Sequence, residues 1–503
     1  MPTEVLDVAA EELTAQVGGM SVYPASIVNA GGNSFFLGRR GTDDLLGVAT
    51  RAEVGALGAF AGTDTSVELG GQPTRVRLCS LTPANAQALR DRFPWLRPVP
   101  LGLRTSAGLG DRLGLATPGH VQAAREFGSI APIFAQQSVR ENARTGRTPQ
   151  QVMDDAMWGV FQMGWQGPWG SDADHLKTPE AMDPAIAAGY TQYTIDPGDH
   201  VDNAAHTAPP ADVAAKVQAL PWDALEDTAQ DMERRYLGRS IELEGAALAF
   251  DRETLARAAA KYGRALAHTV QMYRCLVERI GETPFDLEVS VDETETPTSA
   301  EEHYFIANEL RRLGVKWVSL APRYIGRFEK GVDYIGDLRV FEVELAKHAA
   351  IARALGPYKL SIHSGSDKFS IYPIIARLSQ GLVHVKTAGT SYLEALRAVA
   401  QMEPALFRDI LVFARDHYDV DQATYYVSAQ LTKVPAPDVL SDADLPDLLD
   451  QFDARQVLHV TYGSVLDRFG GRLMATLHTH AEVYGALLRV HFERHLAPFA
   501  HAA

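Results

Sequence analysis

Six short runs of the sequence crowd histidine, carboxylate and cationic side chains together. SDADHLK carries Asp172, Asp174, His175 and Lys177, TIDPGDH carries Asp196, Asp199 and His200, and VDETE carries Asp292, Glu293 and Glu295. APR adds Arg323, IHSGSDK adds His363, Asp367 and Lys368, and HVKTAGTS adds His384, Lys386 and Thr387. Histidines mixed with carboxylates suit a divalent cation such as zinc, manganese, cobalt or nickel. His175 and His363 lead as ligands, because each follows or ends a strand-like stretch. His384 is a third candidate, although it lies two residues back from its strand end, where a buried structural imidazole also fits.

Asp174, beside His175, is the candidate general base, since an adjacent cation would hold substrate within its reach. Orienting a ligand histidine is its alternative role. Glu293 comes from a different strand and is the candidate opposing acid, or else a cation ligand; Asp292 and Glu295 compete for both tasks. Arg323, Lys368 and Lys386 can bind a substrate carboxylate through charge-assisted hydrogen bonds, with Asp367 grouped beside them as a substrate contact. Arg112 joins that set from GLGDRLG, a loop that imitates a dinucleotide-binding turn. Its spacing is GxGxxxG rather than GxGxxG, and no acidic residue follows at a second strand end, so no nicotinamide cofactor is expected. Walker A and GxSxG patterns are absent.

These runs need a scaffold that brings strand ends to one place. Strand-like stretches fall at Leu101–Ser106, Ile130–Gln136, Trp169–Asp174, Tyr190–Asp196, Asp286–Asp292, Lys316–Leu320, Lys359–His363 and Leu382–Lys386. Helices with readable ends lie between them: Ser299 with Glu302 makes a capping box, Asp337 caps a helix ending at Gly356-Pro357, and Ser391 with Glu394 opens another. Eight alternations predict an α/β fold, a (β/α)8 barrel whose active site occupies the C-terminal rim of the strands. Residues 1–98 read as a small N-terminal α/β domain, with Thr82 capping its helix. Residues 99–490 read as the barrel, with a mostly helical insertion at about 197–280 and a C-terminal helical extension. Two runs in that extension, TYYVSAQL and QVLHVTYGS, look strand-like.

The chain has 503 residues, 46% hydrophobic and 22% charged, which suits a large packed core and not disorder. Its net charge of −16, spread along the length, argues against nucleic acid and against a polybasic membrane contact. Cys79 and Cys275 are too few and too far apart for a disulfide framework. The acidic start MPTEVLDVAAEELT lacks a signal pattern, and no apolar run approaches the roughly 20 residues that span a bilayer. A cytoplasmic enzyme acting on a small molecule is expected, with homo-oligomerisation left open.

Longer motifs carry a family likeness. DETETPTSAEEHYFIANELRRLGVKWVSLAPRYIGRFEKGVDYIGD, GPYKLSIHSGSDKFSIYPII and LVHVKTAGTSYLEALR resemble the bacterial tagaturonate epimerases. SDADHLK, YTIDPGDHVDN and DARQVLHVTYGSVL are similar to that family too, so the likeness spans roughly residues 100–480. It implies a metal-dependent enzyme of hexuronate catabolism that interconverts D-tagaturonate and D-fructuronate at carbon 3. Relatives in the group are associated with 4-epimerisation of the neutral ketohexoses tagatose and fructose, the same carbon counted from the other end. The ketone of these uronates is at carbon 5, so simple enolisation does not activate carbon 3. Without a dinucleotide site, retro-aldol cleavage between carbons 3 and 4 is the expected route. An isomerase or aldolase on the same barrel would use the same ligands. A non-catalytic sugar-acid binder would leave the crowded strand ends unexplained.

Overall fold

Strict two-residue alternation governs the N-terminal sheet of the computed structural model, which describes residues 8–51 and 57–500. The first seven residues, where the leader reading begins, lie outside that range. Strands β1 (Ser21–Val22), β2 (Val28–Ala30), β3 (Asn33–Arg40), β4 (Asp43–Thr50), β5 (Thr63–Leu69) and β6 (Gln72–Ser80) form an antiparallel sheet in the order β1-β3-β4-β6-β5, with β2 also on β3. Phe35 and Leu37 point to one face and join the main core, whereas Phe36 points to the other and packs with Leu13, Ala49 and Val76. Thr82 caps the following helix, its hydroxyl accepting from Asn85 N.

The chain then enters the barrel through β7 (Ser106–Gly108), β8 (Ala131–Ser138), β9 (Gly170–Leu176) and β10 (Gln192–Ile195). The insertion follows, and it is not purely helical: a hairpin of β11 (Ser240–Leu243) and β12 (Ala246–Ala249) precedes the long helix Arg252–Ile280. The barrel resumes with β13 (Asp286–Val291), β14 (Ser319–Pro322), β15 (Lys359–Ile362) and β16 (Val383–Lys386). All neighbours are parallel, and β16 pairs with β7 to close the cylinder. The eight expected strands are therefore the eight staves.

Local differences have physical causes. The first stave starts later than the Leu101–Ser106 expectation, because Gly102 turns at φ 58° and Asp286 accepts from the amides of Leu101 and Gly102 at 2.7 and 2.8 Å. Ser299 and Glu302 do form a capping box, and Asp337 caps its helix. Ser391 does not open a helix; it lies inside Thr390–Met402, donating to Gly110 O and meeting His120 Nε2. The two strand-like runs of the extension are not strands. TYYVSAQL is coil and short 3-10 turns, while QVLHVTYGS falls in helices Phe452–Val460 and Tyr462–Thr479. A helix buried on every side loses the polar stripe that betrays its period, and so reads like a strand. No helix among the described residues is long and apolar enough to cross a membrane.

Candidate active site

Side chains alternate in and out along each stave, so the inward positions stack inside the barrel and open at its C-terminal mouth. At the centre stands Lys386, at the end of β16 and 3% exposed. Its Nζ lies 2.8 Å from Asp172 Oδ2, 2.7 Å from Asp174 Oδ1 and 2.8 Å from Glu288 Oε1, and donates to Thr194 Oγ1. Burial opposes its charge, but the three carboxylates outweigh that and hold the ammonium well above its usual range. Burial also pushes Asp172 up to about 6, against the pull of Lys386. One ammonium among three carboxylates leaves an appetite for more positive charge.

The imidazoles supply the place for it. On a regular strand Asp174 and His175 would face opposite sides. His175 instead sits at φ 57°, and the β9–β10 register slips between Ala173/Tyr193 and Leu176/Ile195. That bulge turns both side chains to the mouth, a common use of bulges beside active sites. His175 Nδ1 meets Asp196 Oδ2 at 3.0 Å, and its ring centroid lies 5.0 Å from that of His363. His363 Nε2 contacts Glu288 Oε1 at 2.6 Å. Its Nδ1 makes no well-directed hydrogen bond, although Asp292 Oδ1 lies 3.1 Å away. Burial alone would lower both rings. Asp174 and the Asp196 contact raise His175 to about 9, and Asp292 and Glu288 raise His363 to about 10.

One ligand atom from each of Asp174, His175 and His363 lies within 4.8 Å of the others. Together with the undirected Nδ1 of His363, this donor set of two imidazoles and a carboxylate fits a divalent cation. His175, Asp196 and Glu293 form an overlapping set. A third, Asp367, His491 and His495, is more engaged: His495 Nε2 already accepts from Asp367 N at 2.9 Å.

Other expected residues divide clearly. Glu293 lines the mouth and receives Arg140 on both oxygens, at 2.8 and 3.1 Å. Arg323 lines an outer cavity of about 260 Å³, its Nε buried without a partner. Arg112 reaches the inner pocket, but its guanidinium pairs with Glu141 at 2.9 Å and stacks 3.7 Å over Tyr462. Asp174 differs from a free base: Lys386 holds one oxygen and Gln136 Nε2 donates to the other at 3.2 Å. Burial would raise its pKa, yet Lys386, His175 and His363 keep it well below the usual carboxylate range.

Four expectations are displaced. His384 sits deeper, its Nδ1 at 3.0 Å from Ser106 Oγ, and burial lowers it to about 3; it does not join the ligand group. Lys386 lines the inner pocket but is already held by its three carboxylates. Lys368 Nζ donates to the carbonyls of Glu329, Val332 and Ser366, away from any cavity here. Asp367 pairs with Arg455 at 2.9 Å and His491 at 3.2 Å. The loop Gly108–Gly114 is also no phosphate cradle: Asp111 accepts from Leu113 N, Gly114 N and Ala116 N, and a Cβ on Gly110 would strike the Ala388 backbone.

Sequence reasoning missed Glu288, Gln136, Arg140 and Lys330. Glu288 did leave a signal, a lone carboxylate at an inward position of the apolar stave DLEVSV. Arg140, in the short helix Val139–Thr145, and Lys330, in a turn, stand outside every dense run, where nothing distinguishes them from solvated surface.

A closed parallel β/α cylinder with cation-ready imidazoles and carboxylates at its C-terminal mouth defines an enzyme of the barrel class. The sequence model described as tagaturonate epimerase matches residues 23–499. The tagaturonate/fructuronate epimerase of Thermotoga maritima is 44% identical over 481 residues, covering 95% of this chain and 96% of that protein. Crystal structures of fructuronate-tagaturonate epimerase UxaE from Cohnella laeviribosi, native and with glycerol, match with a TM-score of 0.90 at 38% identity, over 97% of this chain and 98% of theirs. The chain belongs to the tagaturonate epimerase family, a family of isomerases.

Proposed function

We propose that this chain interconverts D-tagaturonate and D-fructuronate by inverting carbon 3, using a divalent cation and retro-aldol chemistry. The names of the relatives from Thermotoga maritima and Cohnella laeviribosi support the substrate pair. The observation that carries the chemistry is the convergence of Asp174, His175 and His363 within 4.8 Å, on a bulge that turns the first two to one side. A cation on these ligands (zinc, manganese, cobalt or nickel) supplies Lewis-acid stabilisation of negative charge on substrate oxygens.

The remaining roles follow from position. Asp174, buried within 4.8 Å of the ligand atoms of His175 and His363, serves as ligand, and the more exposed Glu293 as base. Glu293 takes the proton of the carbon-3 hydroxyl as the bond between carbons 3 and 4 breaks, its electron pair moving toward the carbon-5 carbonyl. The aldehyde half turns, the bond re-forms on its other face as the electron pair returns from the carbon-5 oxygen, and the new carbon-3 oxygen regains the proton that Glu293 holds. Among the described residues, Arg323 is one of two unpaired cations on this cavity and shares the substrate carboxylate with the other. Tyr425 and Tyr426 cover the cavity and restrict water.

Incubation with tagaturonate, followed by proton NMR, tests this reading. Fructuronate is the expected product, and chelation should cut turnover by about 100-fold or more, restored by one of the four metals. Free three-carbon fragments in place of fructuronate would make the enzyme an aldolase, and indifference to chelator would remove the cation.

A further inference from the structure

Five cationic side chains line the mouth, and their partners differ. Arg112 is paired with Glu141, Arg140 with Glu293, and Lys386 with three carboxylates. Among the described residues, the Lys330 ammonium and the Arg323 guanidinium make no hydrogen bond or ion pair. Lys330 is half-buried and is the only one of these two that faces the outer cavity and both inner pockets. An ammonium offers three donors and no acceptor, so a half-buried one left alone beside a reaction centre awaits an anion.

Its backbone is mounted with unusual care. Four consecutive carbonyls around it accept from buried side chains: Glu329 O and Val332 O from Lys368 Nζ, Lys330 O from Gln456 Nε2, and Gly331 O from Arg455 Nε. Asp367 holds Arg455 in turn at 2.9 Å. Gly331 sits at φ 72°, and a Cβ there would come within 3.2 Å of His459 Nδ1. Asp367 and Lys368 thus act one step behind the substrate, as positioning residues for the loop that presents Lys330.

We propose that Lys330 is a specificity-determining residue: its ammonium binds the substrate carboxylate and selects sugar acids over neutral ketohexoses. This rests on the hexuronate reading above. The carboxylate belongs to the half of the sugar that turns during inversion, so the same contact retains that half in the mouth.

The test compares Lys330→Met and Lys330→Arg with the wild-type enzyme. With tagaturonate, Lys330→Met should raise KM about 10- to 100-fold, the loss of one charge-assisted hydrogen bond, with a much smaller change in kcat. Lys330→Arg should recover most of that loss. Calorimetry separates this proposal from the epimerase reading: the unreactive acid D-galactonate should bind the wild type at least about tenfold more tightly than Lys330→Met, and galactitol equally to both. Failure of tagaturonate turnover with that binding difference intact sinks the epimerase reading alone. Galactonate binding that is absent in the wild type, or unchanged in Lys330→Met, overturns the role of Lys330.

Discussion

The chemistry of this protein is a problem of charge balance around one ammonium. Lys386 alone bridges Asp172, Asp174 and Glu288 among the described residues, all three fully or nearly fully buried, while His363 touches Glu288 from the side. Removing one partner of a buried ionic cluster strands the others without water or counter-charge, which typically costs about 3–5 kcal/mol. Lys386→Met is therefore expected to lower stability by about that amount in urea unfolding and to weaken cation binding, because Asp174 loses the contact that orients it. A variant as stable as the wild type would mean that the carboxylates find protons or water instead. Lysine is legible in HVKTAGTS as a site residue, but its office is not: the sequence cannot reveal that three acids from other staves have already claimed it.

Between single residues and the whole lie the helices that brace the staves. His303 on Ala300–Arg312 and His348 on Leu338–Leu355 meet Nδ1 to Nδ1 at 2.8 Å, with Tyr358 OH 2.8 Å from His303 Nε2. Burial lowers His348 to about 4 and His303 well below its ordinary 6.5. Both rings bind protons more readily unfolded than folded. Their contribution is complete above pH 6.5 and is lost as pH falls toward 4, about 3 kcal/mol for His348 at the acid limit. Urea midpoints measured from pH 7 to pH 4.5 should fall for the wild type and fall less for His348→Leu; equal slopes would refute the assignment. Helix ends at this scale were readable, since Ser299, Glu302, Asp337 and Thr82 cap through local hydrogen bonds. Ser391 misled because its hydroxyl bonds to Gly110 and His120 instead, partners that only packing supplies.

Across the whole molecule, the C-terminal extension acts on the mouth of a barrel built from earlier sequence. Arg144, following β8, stacks 4.6 Å over the Tyr425 ring and donates to Thr424 Oγ1 at 2.6 Å, tying the extension down beside the cavity. Ser428 and Gln456 hold Glu329 next to Lys330. The double change Tyr425→Ala and Tyr426→Ala should raise KM for tagaturonate about 5- to 20-fold through lost contact area, with the fold intact by circular dichroism. An unchanged KM would show that the roof does not touch substrate.

Stave count, barrel class, family and the strand ends that carry His175 and His363 to one mouth were determined by the sequence itself, because alternation, caps and dense polar strand ends are local signals. Which charges remain free was decided only by the tertiary structure. Pairing distance is set by closure of the cylinder, and it brings residues from separate staves to one lysine. Hence Lys386, Lys368 and Asp367 proved engaged, His384 proved buried, and Lys330, on an unremarkable loop, was left facing the cavity.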